Sequence, residues 1–127
     1  MTAQENSPEA SLTVSACPGY VLARFNHDLD MEVMLALRSD IDRLLPQIDK
    51  PIIVDLANVS FLDNGAVGML TLFFHHAQKH GLSMLIVAAQ PQPAAVLGMV
   101  GLSDHVPLYS SLEAAENALT ARLKARE

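Results

Sequence analysis

The sequence predicts an α/β domain built on a mixed, mostly parallel sheet of four to five strands, opened by a β-hairpin and accompanied by about four helices. Three observations predict it. Two short continuous apolar runs, at 52–56 and 84–88, have the look of strands covered on both faces. Longer segments with helical spacing of apolar residues separate and follow them, which is the alternation that builds parallel sheets. Ahead of both, two alternating segments around Pro18-Gly19 read as a hairpin, and a hairpin makes the sheet mixed.

Taken in order, Leu12, Val14 and Ala16 alternate with polar residues, Pro18-Gly19 breaks the chain, and residues 20–25 supply an antiparallel second strand. Asp28 or Asp30 caps a first helix in which Met34, Leu37, Ile41, Leu44, Leu45 and Ile48 share one stripe, with Arg38, Asp42 and Arg43 turned away. Pro51 separates it from the central strand at 52–56. After Phe61-Leu62, Asp63 and Asn64 are both good capping residues and Gly65 is permissive, so a second helix begins here and runs to Lys79-His80, stopping at Gly81. The run at 84–88 is the next strand, and Pro91 and Pro93 open a short helix over 94–100 that ends at Gly101. Residues 105–108 make a brief edge strand, because Pro107 cannot donate to a ladder. Ser110 or Ser111 caps the last helix, Ser110 and Glu113 being spaced as a capping box, with Leu112, Ala115, Leu119 and Leu123 inward and Lys124 and Arg126 suiting its C-terminal dipole.

The 127 residues, half of them apolar, furnish one core, so a single domain is expected over 12–127. The polar stretch 1–11 has neither the basic start nor the apolar run of a signal peptide and is expected as a disordered leader. A formal charge of -6 provides no field for nucleic-acid phosphates or anionic lipid surfaces, so neither is an expected partner. Cys17 is the only cysteine, which excludes an internal disulfide and suits a reducing, cytoplasmic setting. The most apolar stretch, 66–74, is interrupted by Gly68 and Thr71 and is far shorter than the ~20 residues of a membrane helix, so direct membrane insertion is not expected.

The most informative segment is 59–68, which puts an acid, an amide and two glycines where a helix begins, a place that can receive an anion. The ordinary account is that Asp63 or Asn64 caps the helix and the glycines let it approach the sheet. Asp55 ends a buried strand, so its carboxylate must be solvated, paired or hydrogen-bonded. With Asp63 it could hold a cation as receiver domains do, but no adjacent acidic pair precedes the first crossover helix and no suitable lysine follows. His76 and His80 stand at i and i+4 without a Glu between them or an obvious third ligand, so His75, His76 and His80 read as a solvated helix end and no metal site is expected. No nucleophile with a matching base and no phosphate-cradling loop is found, so neither catalysis nor a cofactor is expected. Ala66, Val67, Met69, Leu70, Leu72, Phe73 and Phe74 exceed the single stripe a sheet-packing helix needs, and the surplus is available to a partner or to a second copy.

The run from Ile52 through Asp55, Asn58, Ser60 and Asp63 to Gly68, with Gly81, Gly101-Leu102 and Tyr109-Ser110-Ser111-Leu112 in order behind it, resembles the STAS family, whose best-known members are anti-sigma factor antagonists. The resemblance covers nearly the whole chain, about 12–123. It implies a domain that binds a serine-kinase-like anti-sigma factor and so frees a sigma factor to regulate transcription, or else a STAS subunit of a scaffold or of a lipid or anion transport complex, with a homodimer as a further possibility. In that family an Asp is followed by a phosphorylatable Ser or Thr, a small residue and then Gly. Asp63 matches the Asp and Gly68 a later glycine, while Asn64 falls at the phosphoacceptor position and Gly65 after it, so the usual hydroxyl is missing. Ser60 is the nearest alternative acceptor, and Thr71 lies inside the helix. The partner surface implied is Asp55, Ser60, Asp63, Asn64, Gly65, Ala66, Val67 and Gly68.

Overall fold

The computed structural model describes residues 11–125, so the expected leader lies, Ser11 apart, outside the described residues. Strands β1 (Leu12–Cys17) and β2 (Tyr20–Phe25) form the antiparallel hairpin, in register from Leu12 against Phe25 to Cys17 against Tyr20, with Gly19 in the turn at φ 89°. Helix α1 (Met31–Leu44) leads through a short 3-10 turn, Leu45–Gln47, to β3 (Ile52–Asp55). Then follow α2 (Asn64–Lys79), β4 (Met84–Val87), α3 (Pro91–Met99), a 3-10 turn at Leu102–Asp104, β5 (Leu108–Tyr109) and α4 (Leu112–Ala125). The sheet runs β1-β2-β3-β4-β5, antiparallel at its first pair and parallel at the other three.

Three consecutive right-handed crossovers in a sheet of sequential order place their helices on one face. Accordingly Leu37 and Ile41 of α1, five residues of α2 and Leu97 of α3 join Ile52 and Val54 in one core, while Ile53, Leu85 and Val87 face Ala115 and Leu119 of α4 on the other side. The strand period of two thus divides the apolar run at 52–54 between two cores, which is why it reads as continuous rather than alternating. Tyr20 ties β2 to α4 by donating its phenol to Glu116, and burial together with that bond pushes the Tyr20 hydroxyl above its ordinary range.

Several expected boundaries move, for local reasons. Of the two expected caps for α1, Asp30 is the one used, its carboxylate accepting from Val33 N at 2.9 Å. Helix α3 begins at Pro91 rather than Ala94, because a proline in the first turn gives up only an N–H that would have no helical partner. Strand β5 starts after Pro107, whose carbonyl accepts from Ile86 N at 3.0 Å, and is only two residues long. Of the two expected caps for α4, Ser111 is the one used, accepting from Ala114 N at 3.1 Å, and the Ser110–Glu113 box is not the cap.

Candidate functional site

The parallel strands end on one edge of the sheet, where the connections out of β2, β3 and β4 meet, and in sheets of this kind ligands and partners are met at that edge. Between β3 and α2 the segment 56–63 lies over this edge and is held from both sides. From the β2–α1 connection, the exposed Asp28 carboxylate accepts from Ser60 N at 2.8 Å, from Ser60 Oγ at 2.9 Å and 3.0 Å to its two oxygens, and from Phe61 N at 3.2 Å. Next to it, Leu29 forms a parallel bridge with Leu62, donating to the Phe61 carbonyl at 2.9 Å and accepting from Asp63 N at 3.1 Å. From α3, Gln92 accepts from Leu62 N at 2.9 Å and donates to the Leu62 carbonyl at 3.0 Å. Every backbone N–H from Ser60 to Asp63 therefore has a partner on the β2–α1 connection or on α3, and these bonds fix the segment as a platform over the sheet edge.

At its end Asp63 caps α2, its carboxylate accepting from Ala66 N at 3.1 Å and its carbonyl from Val67 N at 3.2 Å. A side chain at Gly65 would put its Cβ 3.3 Å from that carboxylate, so the glycine leaves room for the cap. The cap also corrects the anion expectation, because Asp63 already places a negative charge where an external anion would bind. Asn64 and Gly65 stand exposed on the first turn, Gly68 is exposed one turn on, Val67 is half-buried, and Ala66 is fully buried and serves the core. Ser60 is exposed, but its hydroxyl is engaged by Asp28, and a phosphoryl group there would set ~1.5 to 2 negative charges against that carboxylate. The Thr71 hydroxyl donates to the Val67 carbonyl at 2.8 Å.

Asp55 does not belong to the exposed surface. Only 3% of it is accessible; one carboxylate oxygen pairs with Arg24 Nε at 2.9 Å and the other accepts from Ala57 N at 2.9 Å. Arg24 and Asp55 are direct partners in the β2–β3 register, so the strand pairing itself sets up the ion pair. Asp55 and Asp63 are each engaged by different groups, which removes the receiver-like pairing. On the far end of α2, the His76 and His80 rings lie 4.4 Å apart and His76 Nε2 donates to the Ile48 carbonyl at 2.8 Å, tying the helix to the α1–β3 connection. Asp28 and Gln92 carry much of the platform and were not among the expected site residues; the signal for Asp28 was a second acid beside an already sufficient cap.

The hydrogen bonds from Ser60 and Phe61 hold the Asp28 carboxyl below its ordinary value of 3.8. A group whose folded pKa is depressed stabilises the fold above its unfolded pKa and loses that contribution as pH falls through the folded value. Asp28→Asn is therefore expected to lower stability by about 1 kcal/mol at pH 6, allowing for the exposure of the site, and the gap between wild type and variant narrows below pH 4. Urea unfolding of both at pH 6 and pH 3 measures this; a gap that persists at pH 3 would assign the loss to something other than the carboxylate charge.

A STAS domain model matches residues 12–115. Comparison with curated protein sequences returns no match. Among solved structures the fold is similar to an anti-sigma factor antagonist from Mycobacterium paratuberculosis, at 24% identity over 88% of this chain and 96% of that one, with a TM-score of 0.75. It is also similar to the Bacillus cell fate determinant SpoIIAA in its phosphorylated form, at 18% identity over 84% of this chain and 98% of that one, TM-score 0.64. A sulfate transporter family protein from Wolinella succinogenes shares the fold too, at 13% identity over 94% and 98%, TM-score 0.70. No helix among the described residues is long and apolar enough to cross a membrane. With the family model spanning most of the chain and the five-stranded mixed sheet with its helical crossovers in agreement, the protein belongs to the STAS domain family.

Proposed function

We propose that the protein is an anti-sigma factor antagonist that works in the cytoplasm by docking a serine-kinase-like anti-sigma factor on the platform from Ser60 to Gly68, and that it does so without a phosphorylation switch at Asn64. The observation that carries this reading is the combination of a platform fixed by Asp28, Leu29 and Gln92 with an exposed, uncharged Asn64 at the start of α2. A surface already fixed in one geometry loses little entropy on docking, which favours recognition of a folded partner. Asn64 has no hydroxyl to receive a phosphoryl group, so the ~1.5 to 2 charges by which phosphorylation would repel a partner are not available at that position. Such a domain captures its partner whenever both are present, and control lies elsewhere.

The switch itself is tested by restoring the hydroxyl. Incubated with ATP and the captured anti-sigma factor, the wild-type chain is expected to take up no stoichiometric phosphate, while Asn64→Ser takes up one phosphoryl group, read by intact mass. Stoichiometric phosphate on wild-type Ser60 or elsewhere on the platform would contradict the switchless reading.

A further inference from the structure

At the end of the sheet away from the platform, where β4 begins, a cleft of about 240 Å³ lies between the last turns of α2 and α4. Its lining includes a backbone donor that the fold leaves unanswered. In the β3–β4 ladder Ile52 N donates to the Ser83 carbonyl at 2.9 Å and Leu56 N to the Val87 carbonyl at 2.8 Å, so alternate residues of β4 face β3 and Met84 turns its N–H toward β5. On that side the Pro107 and Tyr109 carbonyls accept from Ile86 N and Ala88 N. The next acceptor back along this ladder would be the His105 carbonyl, but His105 ends a 3-10 turn at φ -112° and ψ -27°, out of the extended path, and β5 begins only at Leu108. Among the described residues no acceptor therefore meets the Met84 N–H. Met84 is only 5% accessible, and a buried N–H with no acceptor in its own chain calls for a partner from outside it.

The side chains around this donor share its polarity. Gln78 of α2, Ser83 ahead of β4, His105 and Arg122 of α4 line the cleft, and no carboxylate does, in a chain whose net charge is -6. Among the described residues no ion pair uses Arg122. A cation in the last turn of α4 also suits the helix dipole, but Lys124 serves that purpose from the same turn, and the dipole leaves Met84 unanswered. We propose that the cleft binds a phosphoryl group carried on a small organic molecule, with the Arg122 guanidinium and the Met84 N–H as its principal contacts. The guanidinium offers a forked pair of donors that matches two phosphoryl oxygens, and the amide, hydroxyl and imidazole groups of Gln78, Ser83 and His105 supply donors for the others. A planar carboxylate has only two oxygens to meet them, so a tetrahedral anion uses more of the lining. The apolar remainder of the cleft suits the organic body. The site stands at the opposite end of the parallel strands from residues 60–68 and does not rest on the antagonist reading.

Titration of the full, 15N-labelled chain with phenyl phosphate, inorganic phosphate and acetate, followed by amide NMR shifts, tests the site without any protein partner present. The Met84 amide is expected to shift and saturate with both phosphates, phenyl phosphate binding with a Kd below about 1 mM, and to respond at least about tenfold more weakly to acetate. Arg122→Ala is expected to weaken phenyl phosphate binding by about tenfold or more, and to keep the wild-type circular dichroism spectrum because Arg122 is exposed and outside the core. Arg38→Ala, which removes an equal charge from the exposed face of α1, is expected to leave binding unchanged. A Met84 amide that does not move up to about 10 mM of either phosphate, undiminished binding by Arg122→Ala, or acetate binding as tightly as phosphate overturns the proposal. None of these outcomes bears on docking at Asn64.

Discussion

Arg24→Ala is expected to lower the unfolding free energy by about 3 kcal/mol and the midpoint of thermal unfolding by roughly 10 °C. Asp55 is almost inaccessible, so removing its guanidinium partner leaves a carboxylate desolvated with only the Ala57 N–H to hold it. Breaking a buried pair on one side costs about 3–5 kcal/mol, and the lower end applies because the Arg24 side chain keeps 40% of its own exposure and water can follow. Domains of this size have only about 5–15 kcal/mol in total, so the loss is large. The double variant Arg24→Ala/Asp55→Asn is expected to recover more than half of it, since Asn removes the unpaired charge and keeps an acceptor for Ala57 N. Chemical denaturation of the three variants checks the account; a double variant no more stable than Arg24→Ala would show that the loss came from the arginine's packing rather than from the stranded charge.

The second large effect is on binding. Asn64→Asp is expected to reduce affinity for the proposed anti-sigma factor partner by at least a hundredfold while leaving the fold intact. An acid in the first turn of α2 interacts favourably with the helix dipole, by about 0.3–1 kcal/mol, which offsets repulsion from the neighbouring Asp63. Desolvating an unpaired carboxylate in the middle of a docked surface costs several kcal/mol, and each 1.4 kcal/mol is tenfold in affinity. Stability and binding thus move independently, which separates this variant from one that simply unfolds.

The sheet and its crossovers were legible because their cause is local: the runs at 52–56 and 84–88 are too apolar and too short for anything but buried strands, and Asp63 caps α2 by its own short-range chemistry. The platform was only half legible. Ser60, Asp63, Asn64 and the glycines follow one another in the chain, but Asp28 reaches Ser60 across 32 positions and Gln92 reaches Leu62 across 30, and no periodicity announces a side chain that bonds a distant backbone. Asp28 was visible merely as one of two capping candidates, and Gln92 as a residue between two prolines. Asp55 was recognised as needing a partner, yet the partner follows from strand register, which places Arg24 beside it only once β2 and β3 are paired. The exposure of Met31 and Leu35 escaped the helical stripe because they lie next to it and not on it.

The central claim is that Asn64 sits in a fixed docking surface for an anti-sigma factor and leaves it permanently competent. An affinity pull-down from the native cell extract, wild type against Asn64→Asp, with bound proteins identified by mass spectrometry, tests this most directly. The account predicts a histidine-kinase-like anti-sigma factor on the wild-type chain and its loss on the variant. Recovery of a transporter or scaffold instead, or equal capture by both chains, would contradict it.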